Sequence, residues 1–598
     1  MHNVIVNGGP AVKDLLPTAN TVRSWLLTAF KERKPDVKQS LATATSKVNI
    51  SFDASTTLDD KSLLAIVGHW IDKDRQLRTA LLTLKELKSH GGNSDVAPLL
   101  KAVIRNYDLA DKLGAFQMDN ADNNDTCLEA LASEFKLNTP EVRLRCQGHS
   151  INLVVKALLY GEGVSKFQKE LSEASDEKVS QLWRSKGAIG KLHNLVVYIT
   201  RSPLRTAAFN EAQQAEADEV VAFYLRLKKD SGVRWNSVHT MIQRALKLRR
   251  AIERYCAEWQ RPKDKGSIDI LNDFLDTEDW EELHHYEELL RPFAKATKRS
   301  EGKATAGSHG ALYEVLPGFD YLFKKLEDAS NEILATPNLF TDHYRHCVNA
   351  AFVKLRDYYR KTDQSRLYRA AVALHPCYRY SYFERNWSGL QGGKADVANA
   401  KQAVQSLFES YVGQAIPPSP PTSAPSASLD DDEDHDWKAF FSYEADDDIE
   451  QAHRRKRQKQ ETELERFMTD DLDVFYIQME QQEDGSLKRV RKTFMDNPLD
   501  WWRQRGESRY PTLAKMAYDL FSIPAMSAEC ERVFSNSRKM ITDERYSLKV
   551  DIIEADQCLK SWLKQQLVDG AATWQILASQ IQEAELQEAE QARCDDIS

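Results

Sequence analysis

In VNISFD (residues 48–53) every second side chain is apolar. Val48, Ile50 and Phe52 therefore line one face of a strand, and Asp53 points away from them at its carboxyl end. The next two runs, SLLAIVGHWID (62–72) and QLRTALLTL (76–84), have the same strand texture and follow after short connections. Short connections predict an antiparallel meander. A helical stretch then leads to LGAFQMD (113–119), which allows a parallel crossover to this fourth strand. There Asp119 ends a strand and opens a helix. Ligand sites in open α/β sheets gather at the carboxyl ends of strands, so Asp53 and Asp119 can meet if their strands are neighbours. Carboxylates at such a point suit Mg²⁺, a hard cation that prefers oxygen ligands. Taken singly, each Asp reads equally well as a turn former or a helix cap.

The whole chain has 598 residues, several domains' worth at roughly 100–200 residues per domain. Its 42% hydrophobic and 29% charged residues are ordinary for a globular protein. No apolar run approaches the roughly 20 residues that cross a bilayer, and the start lacks the basic and apolar regions of a signal peptide. The eight cysteines include no CxxC pair, which suits a reducing compartment and offers no zinc-finger spacing. These features predict a soluble intracellular protein with no membrane partner. The net charge of −9 is concentrated in residues 429–450, which hold eleven Asp and Glu and one Lys. Without them the chain is near neutral, so charge neither supports nor excludes a nucleic-acid partner.

Composition divides the chain further. Residues 1–45 read as an N-terminal helical segment and 46–160 as the strand-rich part. From 161 to 411 apolar residues recur at three- and four-residue spacing, as in MIQRALKLRRAIERYCAEW, which predicts an all-helical block. Residues 412–470 are Pro/Ser-rich, then acidic, then basic, and read as a disordered linker. The basic HRRKRQK (453–459) is a candidate nuclear-import signal, or else a solvated charge run. Residues 471–598 form the last part, in which NPLDWW through SRKMI (497–541) resumes compact helical structure.

IPAMSAECERVFSNSRKMI (523–541) raises a separate question. On a helix Glu531 shares a strip with Ser527, Ala528 and Ser535, beside an apolar stripe of Cys530, Val533 and Phe534. Small neighbours let such a helix approach another element closely and present the carboxylate there. The bland reading is an exposed Glu on a polar face.

Taken together, ISFDASTT (50–57), FQMDNADNN (116–124), LRCQGHSINLVVKAL (144–158), GVRWNSVHTMI (232–242), LHPCYRYSYF (374–383) and above all residues 497–563 resemble, in order, the transposases of the hAT superfamily, the hobo, Activator and Tam3 group. The resemblance implies an α/β ribonuclease H-like catalytic core interrupted by a large all-α insertion domain, with a helical C-terminal dimerisation region. It implies that Asp53, Asp119 and Glu531 form an acidic triad holding two divalent metal ions, Mg²⁺ or Mn²⁺. The implied activity is cut-and-paste phosphoryl transfer on DNA, with a hairpin left on the flanking DNA and then strand transfer. A nuclear location, DNA partners (transposon ends and target) and a homo-oligomer, at least a dimer, follow from the same resemblance. By the same comparison Trp235 would stack on a displaced base, and Arg234 would contact phosphate. Cys146 and His149 would be DNA-facing or structural residues beside the site, and Arg532 would steady Glu531 or meet phosphate. The tryptophan pair Trp501 and Trp502 is expected to anchor the terminal region by burial. The Cys/Cys/His/His spacing of the family's BED-type finger does not occur in this sequence. An alternative reading is a transposase-derived nuclear protein that associates with DNA and dimerises without transposing.

Overall fold

The structure is a computed structural model that describes residues 19–56, 61–89, 91–217, 223–230, 235–261, 269–302, 310–414, 462–472, 474–481, 487–540 and 549–570. The elements that position the site are, in chain order, α1 (Ala19–Ala42), β1 (Val48–Thr56), β2 (Ser62–Ile71), β3 (Leu77–Leu87), α2 (Ala97–Asn106), β4 (Leu113–Met118), α3 (Asp122–Phe135), β5 (Arg143–Arg145) and α4 (Gln147–Tyr160). The helical block follows, including α5 (Trp235–Lys247), α6 (Thr277–Glu301), α7 (Asp342–Lys361), α8 (Arg366–Ala373) and α9 (Arg379–Trp387). Beyond it come α10 (Glu463–Thr469), β6 (Phe475–Gln481), β7 (Leu487–Thr493), α11 (Pro511–Phe521), α12 (Ala528–Met540) and α13 (Val550–Lys564).

The five-stranded sheet has the order β3-β2-β1-β4-β5. The meander β1-β2-β3 is antiparallel and β4 returns parallel to β1, as the strand pattern predicts. β5, three residues inside VRLRC, extends the sheet parallel to β4 and is too short to show a period in the sequence. The edge strand β3 is covered rather than open. Leu81 N–H donates to Ser561 Oγ (3.0 Å), and the Trp562 indole N–H donates to the Leu81 carbonyl (2.9 Å). Side chains of α13 thus take up the backbone groups that an uncovered edge would leave free to pair with another chain. Trp562 is in turn stacked on Phe30 of α1, with centroids 5.2 Å apart.

Asn49 ties the two halves of the chain together. Its Oδ1 accepts from Ala115 N–H in β4 (2.8 Å), while its Nδ2 donates to the Asp519 carbonyl (3.1 Å) and to Ser522 Oγ (2.9 Å) at the end of α11. The β1–β4 register shifts here, and a Cβ at Gly114 would come within 2.1 Å of Asn49 Oδ1, so only glycine lets this amide cross.

Between 161 and 411 the described residues contain helices and irregular turns and no strand of either sheet, as expected. Helix starts there follow simple chemistry. Asp276 and Asp279 form a reciprocal capping box at the head of α6. One expectation needs correction. Part of the predicted linker is folded: Thr462 and Glu465 form a second capping box that starts α10. Its acidic run (429–450) and basic cluster (453–459) lie outside the described residues. Ahead of the stretch read as helical (497–541), β6 and β7 pair as an antiparallel hairpin.

The LHPCYRYSYF stretch is a structural joint. The buried His375 accepts from Cys377 N–H at Nδ1 (3.2 Å) and donates from Nε2 to the Met495 carbonyl (3.0 Å). Burial pushes its pKa down to about 3, so the ring is neutral. Arg379 donates to the carbonyls of Phe467, Met468 and Asp470, which the end of α10 would otherwise leave unpaired. Trp501 and Trp502 are fully buried beside it, edge to face at 5.1 Å, and the Trp502 indole N–H donates to the Leu374 carbonyl (3.0 Å). The expected anchoring role of this pair holds.

Candidate active site

Alternation along β1 puts Val48, Ile50 and Phe52 in the core, while Asn49, Ser51 and Asp53 face the terminal helices. Ser51 Oγ lies 2.7 Å from His69 Nε2, whose Nδ1 is 3.2 Å from Thr79 Oγ1, a polar line across three strands. Ser51 stands opposite Gln117 in the parallel β1–β4 pairing. Two residues further along the chain come Asp53 and Asp119, past the last paired residues of β1 and β4. β1 does not end at Asp53, however. It runs on to Thr56 against β2, and Asp53 marks where β1 outruns β4.

Both aspartates are half-buried, and both are engaged locally. Asp53 Oδ1 accepts from Ala54 N–H (2.9 Å). Asp119 Oδ1 accepts from Ala121 N–H (2.9 Å) and from the Asn124 amide, an Asx-type turn that feeds the chain into α3. The turn-forming reading of Asp119 is therefore correct, and it leaves the second carboxylate oxygen available for other work.

Glu531 lies in the first turn of α12, also half-buried. α12 packs on β1 and β2, and Cys530 Sγ lies 3.8 Å from Ser51 Oγ. The approach of this segment to the start of α4 is close. Gln147 N–H donates to the Ala525 carbonyl (3.0 Å), Gln117 Nε2 to the same oxygen (2.9 Å), and Ser527 N–H and Oγ both donate to Cys146 Sγ (3.5 Å each). A Cβ at Gly148 would meet the Met526 methyl at 2.5 Å, so glycine permits the contact.

The fields of the three acids overlap in this corner. Burial lowers the pKa of His149, while Asp119 and Glu531 both oppose that shift. Burial pushes the Cys146 thiol up to about 11 and the Cys530 thiol well above its ordinary value, and Asp53 adds to both shifts. At the head of α4, Asp119 and Glu531 thus act on His149 and Asp53 on Cys146. Among the described residues, no three His, Cys, Asp or Glu side chains draw close enough together, as they stand, to hold a metal ion. Like charges repel, and each aspartate spends one oxygen on nearby amides. Carboxylate oxygens are the donors that a hard divalent cation prefers.

The other predicted residues fall out differently. Cys146 is buried at the N-cap of α4 with its sulfur turned to Ser527, so it is a joint between the two halves and not a DNA-facing group. His149 remains partly exposed beside the acids. Trp235 is the first residue of α5 and is 4% exposed within the helical core, so its ring is not presented to a base. Arg234 lies outside the described residues. Arg532 donates to Glu529 and to the Glu301 carbonyl (2.8 Å), not to Glu531. Consecutive helix residues point roughly 100° apart, which is why sequence adjacency misleads. Sequence reasoning misses Gln117, Gln147 and Asn120. Asn120 bridges Arg145 Nη1 (3.2 Å) and Ser150 Oγ (3.2 Å) directly behind Asp119. The signal that could have found them is a polar residue at a position the strand and helix patterns assign to the interior.

This is an α/β domain followed along the chain by a helical block. Comparison with known proteins gives the family. The ZBED1 RNase-like domain matches residues 51–149, the ZBED1 RNase-like helical domain residues 144–288, and the hAT family C-terminal dimerisation region residues 480–563. The chain is 23% identical over 572 residues to a Talaromyces stipitatus protein assigned as transcriptional regulator tpeD, covering 90% of this chain and 56% of that one. It is 21% identical over 577 residues to a Zea mays protein assigned as AC9 transposase (91% and 60%), and 21% identical over 573 residues to zinc finger BED domain-containing protein RICESLEEPER 2 of Oryza sativa (91% and 69%). The chain is a hAT transposase-like protein. It spans 56% and 60% of the length of the first two relatives. No helix among the described residues is long and apolar enough to cross a membrane.

Proposed function

We propose that the chain is a DDE-type DNA transposase with a ribonuclease H-like core, in which Asp53, Asp119 and Glu531 hold two divalent metal ions, Mg²⁺ or Mn²⁺. One observation supports the reading: β1 and β4 pair in parallel with Ser51 opposite Gln117, two residues before Asp53 and Asp119, and Asp119 and Glu531 both act on His149 although more than four hundred residues separate them. Bound there, the metals would stabilise charge on the attacking and leaving oxygens of a phosphoryl transfer. The chain's own residues do the positioning. The strands fix Asp53 and Asp119, Asn124 and the Ala121 amide hold one Asp119 oxygen, and the Cys146–Ser527 contact seats α12 against α4. The reaction proposed is cleavage at the element's end, a hairpin on the flanking DNA, and strand transfer by the freed 3′-hydroxyl. The protein acts in the nucleus as at least a homodimer, and its partners are transposon ends and target DNA. The dimerisation-region match supports the homodimer.

A second reading, a transposase-derived DNA-associated regulator without transposition, draws on two observations. Among the described residues the acids do not stand close enough to hold a metal as they are, and Trp235 is buried. The name of the Talaromyces relative points the same way. Mg²⁺- or Mn²⁺-dependent nicking of DNA bearing the element's terminal repeats separates the two. Cleavage by the wild type and none by Glu531→Gln supports the transposase. Binding without cleavage supports the regulator.

A further inference from the structure

A second charged cluster lies one hydrogen bond behind the acids. β5 carries Arg143 and Arg145, and the last two turns of α7 bring Lys354 and Lys361 to the same place. The ammonium groups of Lys354 and Lys361 lie 5.6 and 5.0 Å from the centroid of the Tyr358 ring. Arg145 and Arg143 both disfavour the charge on Lys361, so the four cations share one field. Among the described residues, Arg145, Lys354 and Lys361 have no carboxylate within ion-pair distance; Arg143 Nε pairs with Asp125, and Asp357 lies on α7 between the two lysines.

Arg143 adds an independent sign. Its side chain is 7% exposed, yet Nη1 and Nη2 have no hydrogen-bond partner among the described residues. A guanidinium with two unpaired buried nitrogens is costly, and so is a group of four cations facing two carboxylates, Asp125 and Asp357. Neither would persist in a surface that only had to be soluble. Both costs are offset by an anion that brings several acceptor oxygens. The link to the site is direct, because Arg145 Nη1 donates to Asn120 Oδ1, and Asn120 follows Asp119.

We propose that Arg143, Arg145, Lys354 and Lys361 form a backbone-phosphate cradle that holds a DNA strand beside Asp119, with the Tyr358 ring as its apolar floor. The cradle reads no sequence. Phosphate contacts fix register and orientation, and here they fix which phosphodiester lies over the acids. The inference rests on the transposase reading for its choice of nucleic acid, but its test does not depend on catalysis.

The test is binding of a labelled DNA duplex to the full chain in EDTA, followed by fluorescence anisotropy across a salt series. Removing one phosphate contact should flatten the slope of log K against log salt by roughly 0.9. Lys354→Gln and Lys361→Gln should each weaken binding several-fold and flatten the slope, with the two effects compounded in the double variant. Lys361→Arg should retain binding. Lys166→Gln, the same charge change on an 82% exposed side chain elsewhere, should behave as wild type. An unchanged slope in the double variant overturns the cradle, as does an equal weakening in Lys166→Gln or a wild type that binds no DNA. A wild type that binds with these slopes but does not cleave leaves the cradle standing and defeats the transposase reading alone.

Discussion

The acid-bearing corner and the aromatic joint around His375 are both built where the beginning, middle and end of the chain meet, yet they are built oppositely. At the joint, Trp501, Trp502 and His375 are buried, and the Trp502 indole and both His375 ring nitrogens are hydrogen-bonded. At the corner, three carboxylates are half-buried, and Asp53 and Asp119 each hold a local amide with one oxygen. The first arrangement maximises stability. The second keeps charged oxygens together at a cost in repulsion, which a protein tolerates where the charge has a use. The difference predicts that substitutions at the joint act on folding and substitutions at the corner act on chemistry.

The largest effect should come from the joint. Trp502→Ala removes a fully buried indole and the hydrogen bond to Leu374, and should cost about 3–5 kcal/mol of stability, read by urea denaturation. A cost under about 1 kcal/mol would mean that the joint is not the keystone of the fold. Next, Glu531→Gln or Asp53→Asn should lower metal-dependent cleavage at least a hundredfold, a few kcal/mol at ~1.4 kcal/mol per tenfold, with melting unchanged. Reduced melting with intact cleavage would reverse the assignment of the two regions.

His375 sharpens the comparison through pH. The folded ring resists protonation down to about pH 3, whereas in the unfolded chain it protonates near 6.5. Below 6.5 the unfolded chain therefore binds the extra proton, and stability falls as pH falls, by up to ~1.4 kcal/mol per unit. Above 6.5 His375 adds no pH dependence. Relative to wild type, His375→Gln should lack this component, a difference of roughly 2 kcal/mol accumulated by pH 5. Parallel pH–stability curves for the two proteins would show that His375 is not a buried neutral ring.

What the sequence made legible follows from range. Val48, Ile50 and Phe52 announce their strand because alternation is a local property, and the meander follows from short connections. That a fourth strand can run parallel is readable because topology rules act on whole strands, and β4 does pair with β1. β5 escapes because three residues cannot show a period. Trp235 shows the limit most plainly. A tryptophan opening a helix looks the same whether the ring points into a core or toward a ligand, and only packing decides. For Cys146 the structural alternative holds, and the sequence could not choose it because its partner Ser527 lies 381 residues away.

Arg532 carries the smallest and most discriminating prediction. Adjacent to Glu531 in sequence, it points instead to Glu529 and the Glu301 carbonyl, and so pins α12 to the end of α6. Arg532→Ala should cost about 1 kcal/mol, the usual net worth of such partly exposed hydrogen bonds. Cleavage should fall less than tenfold, because Glu531 is held by its helix and by the Cys146–Ser527 contact rather than by its neighbour. If a folded Arg532→Ala protein instead lost cleavage as deeply as Glu531→Gln, the guanidinium would have to act at the reacting phosphate. The boundary between the stabilising and the chemical region would then run through the first turn of α12 rather than beside it.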